Sequence, residues 1–254
     1  MEFVTTISCI QDLLSRTTAQ YFAEERGRWI FRGHSKTSFQ IIPSVGRNLV
    51  PQSLKTRERY EQRLLEMFRR EARSHFDRNS MPADDWEWLS VAQHHGLPTR
   101  LLDWTHNPLA ALFFAVSKHP KCDGQFFALR AVLKESDTLP KTPFEIDKPV
   151  KFYPNHVTPR IRAQEGVFVV CAKIGDPLDA DLPKEWTLER CLIPALQKEQ
   201  LRYDLFRLGI HASSLYPDID GLAARVSWQA SVMPPRKPQS VREESGTDEL
   251  SCRW

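Results

Sequence analysis

Between residues 56 and 76, Tyr60, Leu64, Leu65, Phe68, Ala72 and Phe76 recur at three- and four-residue steps, and the positions between them are mostly charged. That single apolar stripe predicts a helix with one buried face. Ile10, Leu13, Leu14 and Tyr21 predict another over residues 9–25. Asp84 and Asp85 open a third, over 84–93, with Gly96 as its stop. Asn107-Pro108 is a strong helix start, because Asn caps and Pro suits the first helical position; that helix runs to about residue 118. Two more are expected over 195–208 and 217–229. Short apolar or alternating runs predict strands at 29–33, 40–43 (ended by Pro43), 99–103, 125–132, 166–172 and 186–193. Residues 134–158 show no periodicity and read as a long loop, a feature that is often functional. From Met233 onward the chain is rich in proline and mixed charge.

These elements make an α+β chain, expected as small mixed or antiparallel sheets with flanking helices. One folded unit over residues 1–230 and a flexible tail over 231–254 account for its length. No apolar run approaches a membrane span, and the first residues lack the basic-then-apolar order of a signal peptide. Five widely spaced cysteines with no CxxC pair imply a reducing, cytoplasmic setting and no zinc site. The balance of 35 Lys and Arg against 32 Asp and Glu is too mild to imply nucleic acid by itself. There is no P-loop, no G-x-S-x-G, no H-E-x-x-H and no G-x-G-x-x-G, so the common nucleotide triphosphatase, hydrolase, zinc-protease and Rossmann signatures are absent.

Several polar residues stand where an interior is expected. Arg32 ends a strand beside Gly33: it either offers its planar fork to a diphosphate or ribose, with the glycine allowing close approach, or pairs with an acid such as Asp103. His34 follows and could donate to a ribose hydroxyl or cap a turn. His94 and His95 lie near a helix end; one of them lines a pocket, or both only cap the helix. In the run from Thr99 to Thr105, strand alternation puts Thr99, Leu101 and Asp103 on one face and Arg100, Leu102 and Trp104 on the other. Charges such as Arg100 and Asp103 are rarely buried unless paired, so they mark either a structural network or a binding site. Gln164 and Glu165 stand beside Gly166 at a strand start, where a ligand can come close. The arginine-rich face of the helix at 56–76 either tracks phosphates or is simply solvated.

Phe31-Arg32-Gly33-His34, the run from Gln93 through His94-His95-Gly96 to Thr105, Arg162-Ala163-Gln164-Glu165-Gly166-Val167-Phe168 and the closing Leu215-Tyr216-Pro217-Asp218 together resemble the FRG domain family over roughly residues 8–228. The resemblance implies a distant relative of the ADP-ribosyltransferase fold. In that fold an Arg-Gly strand opens the site for nicotinamide adenine dinucleotide (NAD), a second strand and its following helix build a wall, and a third strand begins with a carboxylate facing the nicotinamide ribose. It therefore implies catalytic roles for Arg32 with Gln164 or Glu165, and NAD contacts from Arg32, Gly33, His34, His94, Thr99, Arg100, Asp103 and Trp104, without a metal. The usual Glu-x-Glu is replaced by Gln164-Glu165-Gly166, so Glu165 takes over as acid, Gln164 acts as a neutral hydrogen bonder, or the site is inactive. Also implied are an RNA or protein acceptor, an antitoxin or inhibitor as partner and a role in bacterial toxin–antitoxin or phage defence. The alternatives are a non-catalytic nucleotide- or partner-binding module and an NAD glycohydrolase.

Overall fold

Seven strands form one mixed sheet in the computed structural model, which describes residues 2–18, 29–77, 80–132, 139–155 and 158–232. In chain order they are β1 (Thr5–Thr6), β2 (Trp29–His34), β3 (Leu101–Thr105), β4 (Gly124–Arg130), β5 (Val150–Phe152), β6 (Gly166–Val170) and β7 (Thr187–Ile193). Across the sheet the order is β1-β7-β4-β2-β3-β6-β5, and only the β1–β7 pair is parallel. The α+β class therefore stands, with a single continuous sheet where small separate ones were expected.

Nine α-helices accompany the strands among the described residues: α1 (Ile10–Arg16), α2 (Ser44–Arg47), α3 (Arg57–Ala72), α4 (Asp85–His94), α5 (Pro108–Val116), α6 (Pro159–Ala163), α7 (Lys198–Arg207), α8 (Ala212–Leu215) and α9 (Ile219–Val232). The Asn107-Pro108 start is borne out, and Asp84, expected inside the first turn, is instead the residue that caps α4. Asn107 Oδ1 accepts from the amides of Leu109 and Ala110 with Pro108 in the first turn, and Asp84 accepts from the amide of Glu87. Two expectations changed. Residues 40–43 are not a strand: Ile41 is buried and its carbonyl accepts from the Leu178 amide at 2.9 Å. The stretch read as a long loop holds a 3-10 turn (Pro143–Glu145) and the edge strand β5, too short for periodicity to reveal. The end of the first helix beyond residue 18 and the tail from 233 lie outside the described residues.

Both faces of the sheet are covered, by different means. On one face Phe31, Phe126, Ala128, Cys191 and Ile193 pack under α5 and α7, while Leu101, Phe152, Phe168 and Val170 pack under α3 and α4. On the other face Ile30, Leu102, Trp104, Phe127, Leu129, Val167 and Val169 pack with Ile41, Leu178 and Trp186, which lie on irregular segments. The sheet is weakest at its middle. β2 pairs with β4 at six positions but with β3 only at Phe31↔Thr105, so the two halves of the sheet part beyond that point. No helix among the described residues is long and apolar enough to cross a membrane.

Candidate functional site

The parting of β2 from β3 leaves the Asp103 carbonyl without a strand partner on that side, and the Arg32 guanidinium fills the gap by donating Nη1–H to it. Arg32 Nε–H donates to His34 Nε2 at 2.9 Å. His34 therefore holds its proton on Nδ1, 3.2 Å from the Phe39 carbonyl. Burial and the neighbouring guanidinium push His34 down to about 3, which keeps it neutral and fixes this arrangement. Its ring also meets Phe127 edge-on at 5.3 Å. Arg32 and His34 thus belong to the loop-covered face. Burial draws Arg32 below the usual guanidinium range, and Asp103 partly restores it.

Gly33 points the other way. A Cβ added there would stand 1.9 Å from the Ala111 carbonyl of α5. Its lack of a side chain serves strand-to-helix packing, which corrects the expectation that it makes room for a cofactor.

On the helix-covered face lies a cluster of polar side chains, and the space beside it is termed the groove. Its floor is Asp103, the one exposed residue of β3. Gln93, near the end of α4, donates Nε2–H to Asp103 Oδ2 at 3.0 Å, and its Oε1 accepts from the Thr99 hydroxyl at 2.7 Å. This chain fixes both the amide orientation of Gln93 and the direction of the carboxylate. His94 stands beside it with Nδ1 3.4 Å from the Thr158 hydroxyl. Burial, His95 and Arg160 hold it below the ordinary histidine value, hence neutral at pH 7. The opposite wall comes from α6 and the segment after α8: the Arg160 guanidinium lies 4.5 Å over the Tyr216 ring, a cation–π contact. Burial raises the Tyr216 phenol, with Arg160 opposing. Gln164, one turn from Arg160, donates to the Leu215 carbonyl at 3.0 Å and ties α6 to α8.

The structure thus divides the residues grouped in the sequence. Asp103 and His94 lie in one polar cluster with Gln93, Thr99 stands buried behind Gln93, and Arg32 reaches the Asp103 backbone from the other face. Three expectations are corrected. Arg100 is 2% exposed: its guanidinium pairs with Glu61 at 2.8 Å and donates to the Pro143 carbonyl at 2.9 Å, which puts it out of reach of any cofactor. Trp104, 3% exposed, is core on the loop-covered face, with its indole N–H unpartnered among the described residues; no ring face is open to stack on nicotinamide. Thr99 is fully buried and acts only through Gln93. Glu165 is exposed at a left-handed turn (φ 47°) that ends α6, and its carboxylate accepts from the Asn107 side chain at 3.3 Å. Sequence reading passed over Gln93, Arg160 and Tyr216 as site residues. Gln93 lay inside the most unusual run of the chain, and its spacing from Asp103 was the available signal; nothing local marked Arg160.

A family model described as the FRG domain matches residues 27–124. Over those residues the chain is similar to the FRG domain. The FRG match takes in Arg32, Gly33 and His34 and the whole of the Gln93–Asp103 chain, whereas Arg160, Gln164 and Tyr216 lie beyond it. No curated protein and no solved structure gives a significant match to the chain.

Proposed function

We propose that this protein is an ADP-ribosyltransferase that takes NAD as substrate in the groove over β3. The observation that supports the reading is one exposed carboxylate held in a fixed direction: Gln93, itself oriented by Thr99, donates to Asp103, Arg32 donates to the Asp103 backbone carbonyl, and the charges of Asp103 and Arg160 both act on His94 and Tyr216. The Arg-Gly strand β2, the strand–helix pair β3–α5 and the strand β6 are also neighbours in the sheet, in the order β2-β3-β6, and these are the three elements that the resemblance to the transferase fold invokes.

The donor set fits the substrate. Arg160 supplies a planar cation for the diphosphate, with Tyr216 beneath it restricting its rotamers. Asp103 supplies a fixed negative charge for the nicotinamide ribose. When the C1′–N bond breaks, its electron pair leaves with the nicotinamide ring, neutralising it, and positive charge develops on C1′ and the ring oxygen of the ribose. A preorganised carboxylate stabilises that charge more than it stabilises the ground state. The acceptor oxygen or nitrogen then bonds to C1′ and gives up its proton. His94, neutral and at the rim, is the base within the groove suited to receive it. The test is to incubate the pure protein with labelled NAD and either cell extract or RNA. Label should appear on a macromolecule and disappear with Asp103→Asn and Arg160→Ala. Expression in bacteria should slow growth, and Asp103→Asn should relieve it, if the protein is a toxin held in check by an inhibitor partner.

One observation favours a second reading, a nucleotide-binding module without turnover. Gln164 is committed to the Leu215 carbonyl, and Glu165 is tied to the Asn107 cap, so the start of β6 offers the groove no carboxylate. NAD binding without nicotinamide release would establish that reading, and free ADP-ribose appearing at the rate of nicotinamide release would indicate a glycohydrolase.

A further inference from the structure

The outer side of α3 carries Arg59, Arg63, Arg69 and Arg70, and the following 3-10 turn adds Arg73. These five arginines line a groove of about 770 Å³ whose carboxylates, among the described residues, are Glu66 and Asp85. The lining therefore holds an excess of three positive charges, as large as that of the entire chain. Both carboxylates are already engaged, Glu66 by Arg63 at 3.0 Å and Asp85 by Arg69. Arg59 and Arg73 are exposed and have no acidic partner among the described residues. Fourteen residues separate them, about 21 Å along a helix, long enough to follow several consecutive phosphates. The half-buried Phe144 ring lies in the same groove, backed by the Arg100 guanidinium 4.9 Å from its centroid.

We propose that this groove binds single-stranded nucleic acid, with the arginines on its phosphates and Phe144 as a stacking platform for a base. Arginine forks match phosphate oxygens two at a time, and a charged channel with an aromatic ring is the combination that single strands require. The aromatic ring among the arginines favours a strand that carries bases over the other polyanions. The inference stands apart from the transferase reading. Where both hold, α4 joins the two sites: Asp85 begins it beside the arginines and Gln93 closes it beside Asp103, about 12 Å away along the axis. A strand held by the arginines would then extend to the ribose-facing groove as the acceptor.

The experiment is fluorescence anisotropy of a labelled, unstructured 12-nucleotide RNA, and of DNA of the same sequence, with the full chain between 50 and 300 mM salt. Binding should weaken linearly in log–log form with salt. Arg59→Ala and Arg73→Ala should each flatten that slope by about 0.7, and the double variant should bind at least about tenfold more weakly at 100 mM salt, with unchanged thermal melting. Phe144→Ala should weaken binding while leaving the slope alone. No binding at 50 mM salt, equal binding by the double variant, or displacement of the RNA by poly-glutamate or anionic vesicles at matched charge would each overturn the proposal. NAD labelling is a separate readout, so its failure would leave this binding result standing, and the reverse.

Discussion

Arg100 and Asp103 lie three residues apart, and their surroundings are opposite. Arg100 is sealed with Glu61, each guanidinium nitrogen met by a carboxylate or a carbonyl and its flat side against Phe144. Glu61 also accepts from the Arg100 amide at 2.6 Å. Burial raises the Glu61 carboxyl, and Arg100 draws it back down, so each charge exists in the core only because of the other. Asp103 forms no ion pair among the described residues. It is exposed and aimed by the Gln93 amide, which the Thr99 hydroxyl in turn orients. The difference teaches how to separate a structural charge from a functional one. The first has its demand for partners satisfied within the protein, and the second is held in direction while its charge is left to be answered from outside.

The sharpest way to break the comparison is at the sealed pair. Glu61→Ala should destabilise the protein by about 3–5 kcal/mol in urea unfolding, because it strands a buried guanidinium. The double variant Glu61→Leu with Arg100→Met should recover much of that loss. A groove variant should behave in the reverse manner. Asp103→Asn should leave melting nearly unchanged while lowering NAD turnover by about 100-fold, roughly 2.7 kcal/mol of transition-state stabilisation. If Asp103→Asn instead costs stability and spares turnover, the two residues have been assigned the wrong way round.

The loop-covered face supplies a pH test. His34 is neutral in the folded protein down to about pH 3 and gains a proton near 6.5 once unfolded. The unfolded chain therefore binds more protons between those values. The contribution is complete above pH 6.5 and is lost as pH falls, at up to about 1.4 kcal/mol per unit, or about 2 kcal/mol by pH 5. His34→Gln, which can still accept from Arg32 and donate to Phe39, should flatten the stability–pH curve by that amount. An unchanged curve would mean that His34 is not sealed. The smallest expected effect is at the end of α6. Glu165→Gly should stabilise by about 1 kcal/mol or less, because glycine adopts the left-handed backbone without a Cβ penalty, and should leave turnover unchanged. A large fall in turnover would return the catalytic role to Glu165.

Much of this was legible along the chain. The stripe of α3, the Asn107-Pro108 start of α5 and the alternation of β3 predicted their elements because each is a local pattern with a local cause. The same alternation placed Asp103 and Trp104 on opposite faces correctly. The role of Gly33 was not legible, since a glycine before a ligand and a glycine before a helix look alike in sequence. Nor was the fate of Arg100: its partner Glu61 is 39 residues away on a helix whose other acids are solvated, and nothing local distinguishes one glutamate from the next.

The order of residues by itself determined which segments become helix and strand, which face of each is apolar, and that polar groups would stand in interior strands. Which of those groups would be sealed and which left open was decided only in three dimensions. A charge is defined by its neighbours within a few ångströms, and those neighbours arrive from distant segments. Glu61 came to Arg100, α5 came to Gly33, and the parting of β2 from β3 set Arg32 beneath Asp103.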